Sequence, residues 1–137
     1  MYIAVIDGQG GGIGASIVER IKHELPEADV LALGTNSLAT SQMLRAGADE
    51  AATGENAIVV NAPKVDVICG VVALLRANSL LGELTPKMAE AIAASPAEKL
   101  LLPINRCGIH IVSVEELPLA RHIDNLIAEL CRLDLAQ

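Results

Sequence analysis

The sequence predicts an α/β fold in which a doubly wound, mostly parallel sheet lies between two layers of helices, a Rossmann-like architecture formed by one domain over residues 1–137. Short apolar runs alternate along the chain with segments of helical periodicity. The apolar residues make up 52% of the chain and are almost all aliphatic, as is usual in buried parallel sheets. Strands joined by helices run parallel, which favours the strand order 3-2-1-4-5.

The first half of the chain contains three strand–helix pairs. Three runs predict strands: residues 2–6, 29–34 and 48–52. Helical patterns follow them, over residues 14–25, 36–46 and 55–62. The third strand is short and weakly apolar, which suits an edge of the sheet. Pro26 ends the first helix, and either Asn36 or Ser37 caps the second.

The second half of the chain continues the alternation. Three runs predict strands: residues 65–72, 98–104 and 108–114. Thr85 and Pro86 begin a helix that Pro96 ends, and a last helix begins at Pro118. Residues 73–84 have no clear pattern. Because only a few residues link the fifth and sixth strands, the sixth is expected to run antiparallel to the fifth.

Charge and composition exclude several classes of function. The net charge is −7 and no Lys or Arg cluster occurs, so nucleic acid is not an expected partner. No apolar stretch is long enough to cross a membrane, and no signal peptide is expected. Three scattered cysteines favour a reducing cytoplasm over a disulfide framework, and no metal-ligand spacing occurs.

The most informative motif is the glycine loop "IDGQGGGIG" at residues 6–14, between the first strand and the first helix. A loop in this position brings backbone N–H groups and a helix N-terminus close to an anion. The spacing does not fit GxGxxG read from Gly8, because residue 13 is Ile, and no Lys is present for a Walker loop. It does fit GxxxGIG. The alternative is a tight strand-to-helix connection without a ligand.

Ligands of open parallel sheets bind at the carboxyl ends of the strands, where small and polar residues cluster in this chain. The predicted binding residues are Asp7, Gly8, Gln9, Gly10, Gly11, Gly12, Gly14, Gly34, Thr35, Asn36, Thr53, Gly54, Glu55, Asn56, Asn105 and Arg106. Several have structural alternatives. Asp7 either contacts a ligand or orients the loop through an Asx-type turn, and Glu55 is either a general base or ligand contact or a favourable charge in the first turn of a helix.

The GxxxGIG spacing resembles the cofactor-binding turn of short-chain dehydrogenases, over about the first quarter of the chain. The resemblance implies that the loop lies against the pyrophosphate of a nucleotide cofactor such as NADP or NAD. The rest of the chain departs from that family. Its catalytic Tyr-x-x-x-Lys motif is absent, because Tyr2 is the only tyrosine. The acidic residue that holds a ribose after the second strand is replaced by Gly34-Thr35-Asn36.

Most of the chain resembles a small bacterial family of unknown function. The stretches that carry this resemblance are "IDGQGGGIG", "ALGTNSLAT", "ATGENAIVVNAPKVDVICG", "LGELTPKMAEAI" and "LLPINRCGI". It implies a cytosolic Rossmann-like protein and no particular activity.

Three functions therefore remain open. The first is a sensor or accessory module that binds a nucleotide or a phosphorylated small molecule. The second is a small-metabolite enzyme that uses the Asn105-Arg106-Cys107 loop, with Arg106 holding an anion and Cys107 as nucleophile. The third is an oligomeric scaffold without a ligand. A homo-oligomer is compatible with all three, with residues 71–84 and the last helix as its expected interface.

Overall fold

The computed structural model describes residues 1–104 and 108–137 and contains a five-stranded parallel sheet. The strands are β1 (Tyr2–Asp7), β2 (Asp29–Gly34), β3 (Glu50–Thr53), β4 (Val67–Val71) and β5 (Glu98–Leu102). Their order in the sheet is β3-β2-β1-β4-β5, which confirms the predicted order and the predicted edge position of β3. Strand order reverses between β1 and β4, so the carboxyl end of β1 lies at the switch point of the fold.

Helices follow the strands as the periodicity predicts. They are α1 (Gly12–Glu24), α2 (Ser37–Arg45), α3 (Glu55–Asn61), α4 (Pro86–Ala94) and α5 (Leu119–Leu135). Helix α1 packs against α2 and α5, whereas α3 packs against α4, so the helices form the two groups that a three-layer fold requires. Within the two described ranges, no helix has both the length and the apolar character needed to span a membrane.

The sequence positions these elements through burial and capping. Ile3 at the centre of the sheet is fully buried and pairs with Val30 on one side and Val67 on the other. Asn36 caps α2, since its Oδ1 accepts the N–H of Ala39 at 2.8 Å. Thr85 caps α4 in the same way, with Pro86 in the first turn. Both caps confirm the predicted starts of their helices.

The predicted sixth strand is wrong. Residues 108–118 of the described chain form turns and irregular backbone instead of a strand beside β5. Gly108 and Ser113 have φ angles of +84° and +71°, which an extended strand cannot contain. Val112, which would have belonged to the strand, is 87% exposed. The apolar alternation in this segment therefore does not correspond to pairing with the sheet.

The segment between β4 and α4 contains two short 3₁₀ turns, Val72–Leu75 and Leu80–Gly82. Most of its apolar side chains are buried, and Leu75 and Leu81 remain exposed. Ser79 bonds locally, because its hydroxyl donates to the carbonyl of Ala73 at 2.7 Å. This segment therefore exposes much less apolar surface for an oligomer interface than its apolar sequence predicts.

Candidate functional site

Asp7, the last residue of β1, organises the glycine loop. The residue is only 8% exposed, and its carboxylate accepts two backbone N–H groups, from Gly8 at 2.8 Å and from Gly14 at 2.7 Å. Each carboxylate oxygen thus holds a different end of the loop. Of the two roles considered for Asp7, this geometry favours the structural one, in which the carboxylate fixes the path of the chain from β1 into α1.

Three glycines of the loop are required by the fold. A Cβ on Gly14 would lie 2.7 Å from both Asp7 Cβ and Met43 Sδ, and a Cβ on Gly8 would lie 2.5 Å from Thr35 Oγ1. Gly11 has a φ of +74°, and a Cβ there would lie 2.7 Å from the backbone of Ala39. These distances are shorter than non-bonded atoms tolerate, so close packing alone accounts for Gly8, Gly11 and Gly14.

The other two glycines, Gly10 and Gly12, are not required by the fold. A Cβ on either residue would have no atom within 4 Å, and neither has a positive φ. Their N–H groups, and that of Ile13, donate to no acceptor in the described part of the chain. Packing therefore does not explain the absence of a side chain at these two positions, whose backbone N–H groups have no acceptor among the described residues.

The loop after β2 lies beside the glycine loop. The N–H of Thr35 donates to the carbonyl of Asp7 at 3.0 Å, and the side-chain amide of Asn36 donates to the carbonyl of Gln9 at 2.9 Å. Gly34 is required by packing, since a Cβ there would clash with Thr40. The structure thus brings the predicted residues of β1 and β2 together.

Glu83 is a residue of this site that the sequence did not indicate. It follows the 3₁₀ turn Leu80–Gly82, and its Oε1 accepts three hydrogen bonds. The donors are the N–H of Gln9 at 2.9 Å, the hydroxyl of Thr35 at 2.7 Å and the amide of Asn36 at 2.7 Å. Its carboxylate therefore lies where the second strand ends, the place at which the sequence itself has no acidic residue.

The two carboxylates of the site differ in acidity. Burial raises the pKa of Asp7, the hydrogen bonds from Gly14 and Gly8 oppose this rise only in part, and the charge of Glu83 adds to it. Burial also raises the pKa of Glu83, but the hydrogen bonds from Gln9, Thr35 and Asn36 outweigh it, so the pKa lies below its ordinary value. Glu83 is therefore ionised at neutral pH.

The predicted residues after β3 form a separate group. Thr53 exchanges a hydrogen bond with Thr40 at 2.7 Å, and the N–H of Gly54 donates to the carbonyl of Gly34 at 2.9 Å. Glu55 lies in the first turn of α3, where its charge favours the helix, and Asn56 is exposed. Within the described ranges, no hydrogen bond joins residues 53–56 to the glycine loop.

The predicted residues Asn105 and Arg106, and the nucleophile Cys107 of the enzyme hypothesis, lie outside the described residues. A groove of about 480 Å³ lies at the carboxyl end of β5, and residues on either side of this stretch in the sequence line it. Its lining includes Ile104, Ile109 and the buried His122, whose Nε2 accepts the N–H of Leu117 at 3.3 Å. This groove and the glycine loop are different parts of the surface.

Comparison with proteins of known structure gives a distant likeness. A dodecameric FMN-dependent UbiX-like decarboxylase from Escherichia coli O157:H7 is 13% identical, with a TM-score of 0.48, over 98% of this chain and 77% of the other. A likeness of this size carries no conclusion about cofactor, activity or assembly. No curated protein matches the sequence.

Comparison with protein families gives a match that extends over nearly the whole chain. Residues 2–134 match the family described as Domain of unknown function (DUF3842), which confirms the resemblance to a family of unknown function. The match includes all five strands, the glycine loop and Glu83. The chain therefore belongs to the DUF3842 family of domains of unknown function.

Proposed function

We propose that this protein binds a nucleotide or another phosphorylated small molecule at the glycine loop and acts as a sensor or accessory module. The observation that carries the proposal is the difference between the five loop glycines. Gly8, Gly11 and Gly14 are accounted for by packing, whereas Gly10 and Gly12 leave space that no part of the described chain fills. A ligand that approaches the backbone closely would account for them.

The chemistry of that space suits an anion. The N–H groups of Gly10, Gly12 and Ile13 are free in the described structure, and the last two belong to the first turn of α1. A helix N-terminus carries a partial positive charge and unsatisfied donors. Asp7 does not compete for the donors of Gly10, Gly12 and Ile13, because its two oxygens already accept Gly8 and Gly14.

The expected affinity for phosphate alone is low. A hydrogen bond to a charged group contributes about 1.5–3 kcal/mol, so three give roughly 5–9 kcal/mol. Association costs about 4 kcal/mol or more in lost translational and rotational freedom. The remainder of roughly 1–5 kcal/mol corresponds to a dissociation constant between about 0.2 M and about 0.2 mM, since 1 mM is about −4 kcal/mol. The rest of the ligand must supply further contacts.

A thermal-shift panel tests the proposal. NAD, NADP, ATP, FAD, CoA and sugar phosphates are each added at millimolar concentration, and a ligand that binds the folded state raises the Tm. We expect at least one phosphorylated compound to raise it. Flat curves for the whole panel would count against binding.

Two variants locate the binding site. Gly12→Val adds bulk where the structure has room, so the variant is expected to fold and to lose the shift. Ala120→Val adds similar bulk to the exposed first turn of α5 and should keep the shift. If Gly12→Val folds and keeps its full shift, the ligand binds elsewhere.

We also infer that the protein forms a homo-oligomer. The support is a set of exposed apolar side chains, chiefly Leu75 and Leu81 between β4 and α4 and Leu119 and Leu135 on α5. Light scattering coupled to size exclusion measures the mass directly against the 14.3 kDa of one chain. A monomer at micromolar concentration would contradict the inference without affecting the binding proposal.

A further inference from the structure

One oxygen of Glu83 is fully engaged and the other is not. Oε1 accepts all three hydrogen bonds from Gln9, Thr35 and Asn36, which exceeds the two lone pairs of a single oxygen. Oε2 accepts none from the described residues. The carboxylate is thus anchored through one oxygen, and the second oxygen is available to a group that is not part of the described chain.

The backbone that immediately precedes Glu83 is strained. Leu80 and Leu81 both have a φ angle of +56°, in the left-handed region that residues other than Gly, Asn and Asp rarely adopt. Such conformations are disfavoured and persist only where the surroundings impose them. Leu81 gains nothing from packing, because it is 97% exposed. The strained turn leads directly into Glu83.

The same segment is held rigidly. The N–H of Asn78 donates to the carbonyl of Leu84 at 2.8 Å, and that of Leu84 donates to the carbonyl of Ser79 at 3.2 Å. Leu80 and Leu84 are buried on either side of the turn. Glu83 is therefore a preorganised acceptor, held in place before any ligand arrives.

The acceptor lies next to the anion donors. Glu83 Oε1 is 2.9 Å from the nitrogen of Gln9, and Gln9 immediately precedes Gly10. An ionised carboxylate accepts hydrogen bonds and donates none, so it suits hydroxyl groups and opposes a second anion. One ligand that satisfies both features carries a phosphate beside free hydroxyl groups.

We propose that Glu83 is a specificity-determining residue whose Oε2 accepts hydrogen bonds from sugar hydroxyls, so that the ligand is a sugar phosphate or nucleotide with unmodified hydroxyl groups. This inference rests on the proposed function. It assigns to Glu83, on the segment before α4, the task that an acidic residue at the end of the second strand performs in dinucleotide-binding folds. It favours NAD over NADP, since the 2′-phosphate of NADP would face this carboxylate.

Amide NMR titrations of the full chain test the two proposals separately. The probes are inorganic pyrophosphate, ribose 5-phosphate and 2-deoxyribose 5-phosphate, with the amides of Gly10, Gly12 and Ile13 as reporters. We expect all three probes to shift these amides. The ribose compound should bind about tenfold more tightly than the deoxy compound, the effect of one hydroxyl bonded to a charged group. NAD should bind at least about tenfold more tightly than NADP, from the same acceptor.

The variant Glu83→Gln replaces one carboxylate oxygen with an NH₂ group. Its amide oxygen is expected to remain on the three donors, which places the NH₂ group where Oε2 stands. The preference for ribose should then disappear, while pyrophosphate binds unchanged or more tightly. Glu27→Gln, an exposed residue before β2 at the opposite edge of the sheet, is the matched control and should keep the preference.

The outcomes distinguish the two proposals. If pyrophosphate shifts the loop amides but ribose and deoxyribose compounds bind equally, the role of Glu83 is wrong and the binding site stands. Equal tightening of both sugars by Glu83→Gln would show that the carboxylate only repels anions, which also overturns the inference. If no probe shifts these amides, the proposed function fails as well.

Discussion

The carboxylate of Asp7 accepts the backbone N–H of Gly14 at 2.7 Å, so the last residue of β1 is tied to the first turn of α1 seven positions later. The contact is buried and leaves no room for a side chain on Gly14. The loop between them, residues 8–13, is therefore held at both ends by one side chain. Its outer part, Gly10 and Gly12, is left exposed.

Asp7→Asn is expected to destabilise the protein by about 1–3 kcal/mol, the cost of leaving a buried hydrogen-bond donor unsatisfied. The amide offers one oxygen for two N–H groups, so either Gly8 or Gly14 must face the new NH₂ group. Urea unfolding measures the change. Asp66→Asn is the control, because Asp66 accepts a single N–H, that of Tyr2, at an exposed position, and a loss below about 0.5 kcal/mol is expected there. Equal losses would contradict the role of Asp7.

The loop glycines should differ in their tolerance of alanine. Gly14→Ala is expected to cost about 1–3 kcal/mol, because the new methyl group overlaps Asp7 and Met43. Gly12→Ala should be neutral or stabilising by up to about 1 kcal/mol, since it removes flexibility from the unfolded chain without a clash. Chemical denaturation of both variants measures the two changes in unfolding free energy. A loss at Gly12 as large as that at Gly14 would show that packing explains both.

Stability should depend on the ionisation of Glu83. Its folded-state pKa lies below the ordinary 4.5, so the folded state binds protons less readily than the unfolded state. Glu83 therefore contributes stability above that value, and the contribution is lost as the pH falls through the folded-state pKa. Asp7, with a raised pKa, acts in the opposite direction.

The difference in unfolding free energy between the wild type and Glu83→Gln isolates this contribution. Unfolding in urea between about pH 6 and about pH 3 should show the difference shrinking as the solution becomes acidic. A difference that is constant, or that grows toward low pH, would contradict the lowered pKa.

The strain before Glu83 predicts an unusual response to glycine. Leu81→Gly should leave stability unchanged or raise it by about 1 kcal/mol, because Gly adopts the left-handed conformation without cost and the lost side chain is exposed. Leu38→Gly is the matched control. Leu38 is also exposed but lies within α2, where glycine is expected to cost about 1 kcal/mol. Thermal unfolding of the two variants should therefore give shifts of opposite sign, or a loss only at Leu38.

Most of the fold could be predicted from local sequence patterns. Aliphatic runs such as residues 2–6 form strands because they are buried on both faces, and Asn36 and Thr85 start helices by satisfying free N–H groups. The sixth strand was wrong because alternation at 108–114 does not reveal the left-handed backbone of Gly108 and Ser113. Backbone conformation of that kind depends on contacts that a single sequence does not display.

The site was predictable in part. The loop glycines, Thr35 and Asn36 were predicted because they follow strands whose carboxyl ends share one edge of the sheet, and the structure places them side by side. Glu83 was missed because it meets Gln9 across 74 positions, from a segment with no periodicity. Nor does the sequence show which glycines have neighbours close enough to exclude a methyl group, because those distances involve residues such as Ala39 and Met43 on another helix.

The unequal freedom of the five loop glycines has a consequence for the history of the family. Mutation at Gly8, Gly11 or Gly14 destabilises the fold itself, so selection for stability alone favours keeping these glycines. Under the proposed function, Gly10 and Gly12 are conserved only because of what the loop binds. A lineage that no longer binds the ligand is expected to conserve Gly8, Gly11 and Gly14 and to vary at Gly10 and Gly12. The residues at those two positions therefore indicate whether binding has been kept.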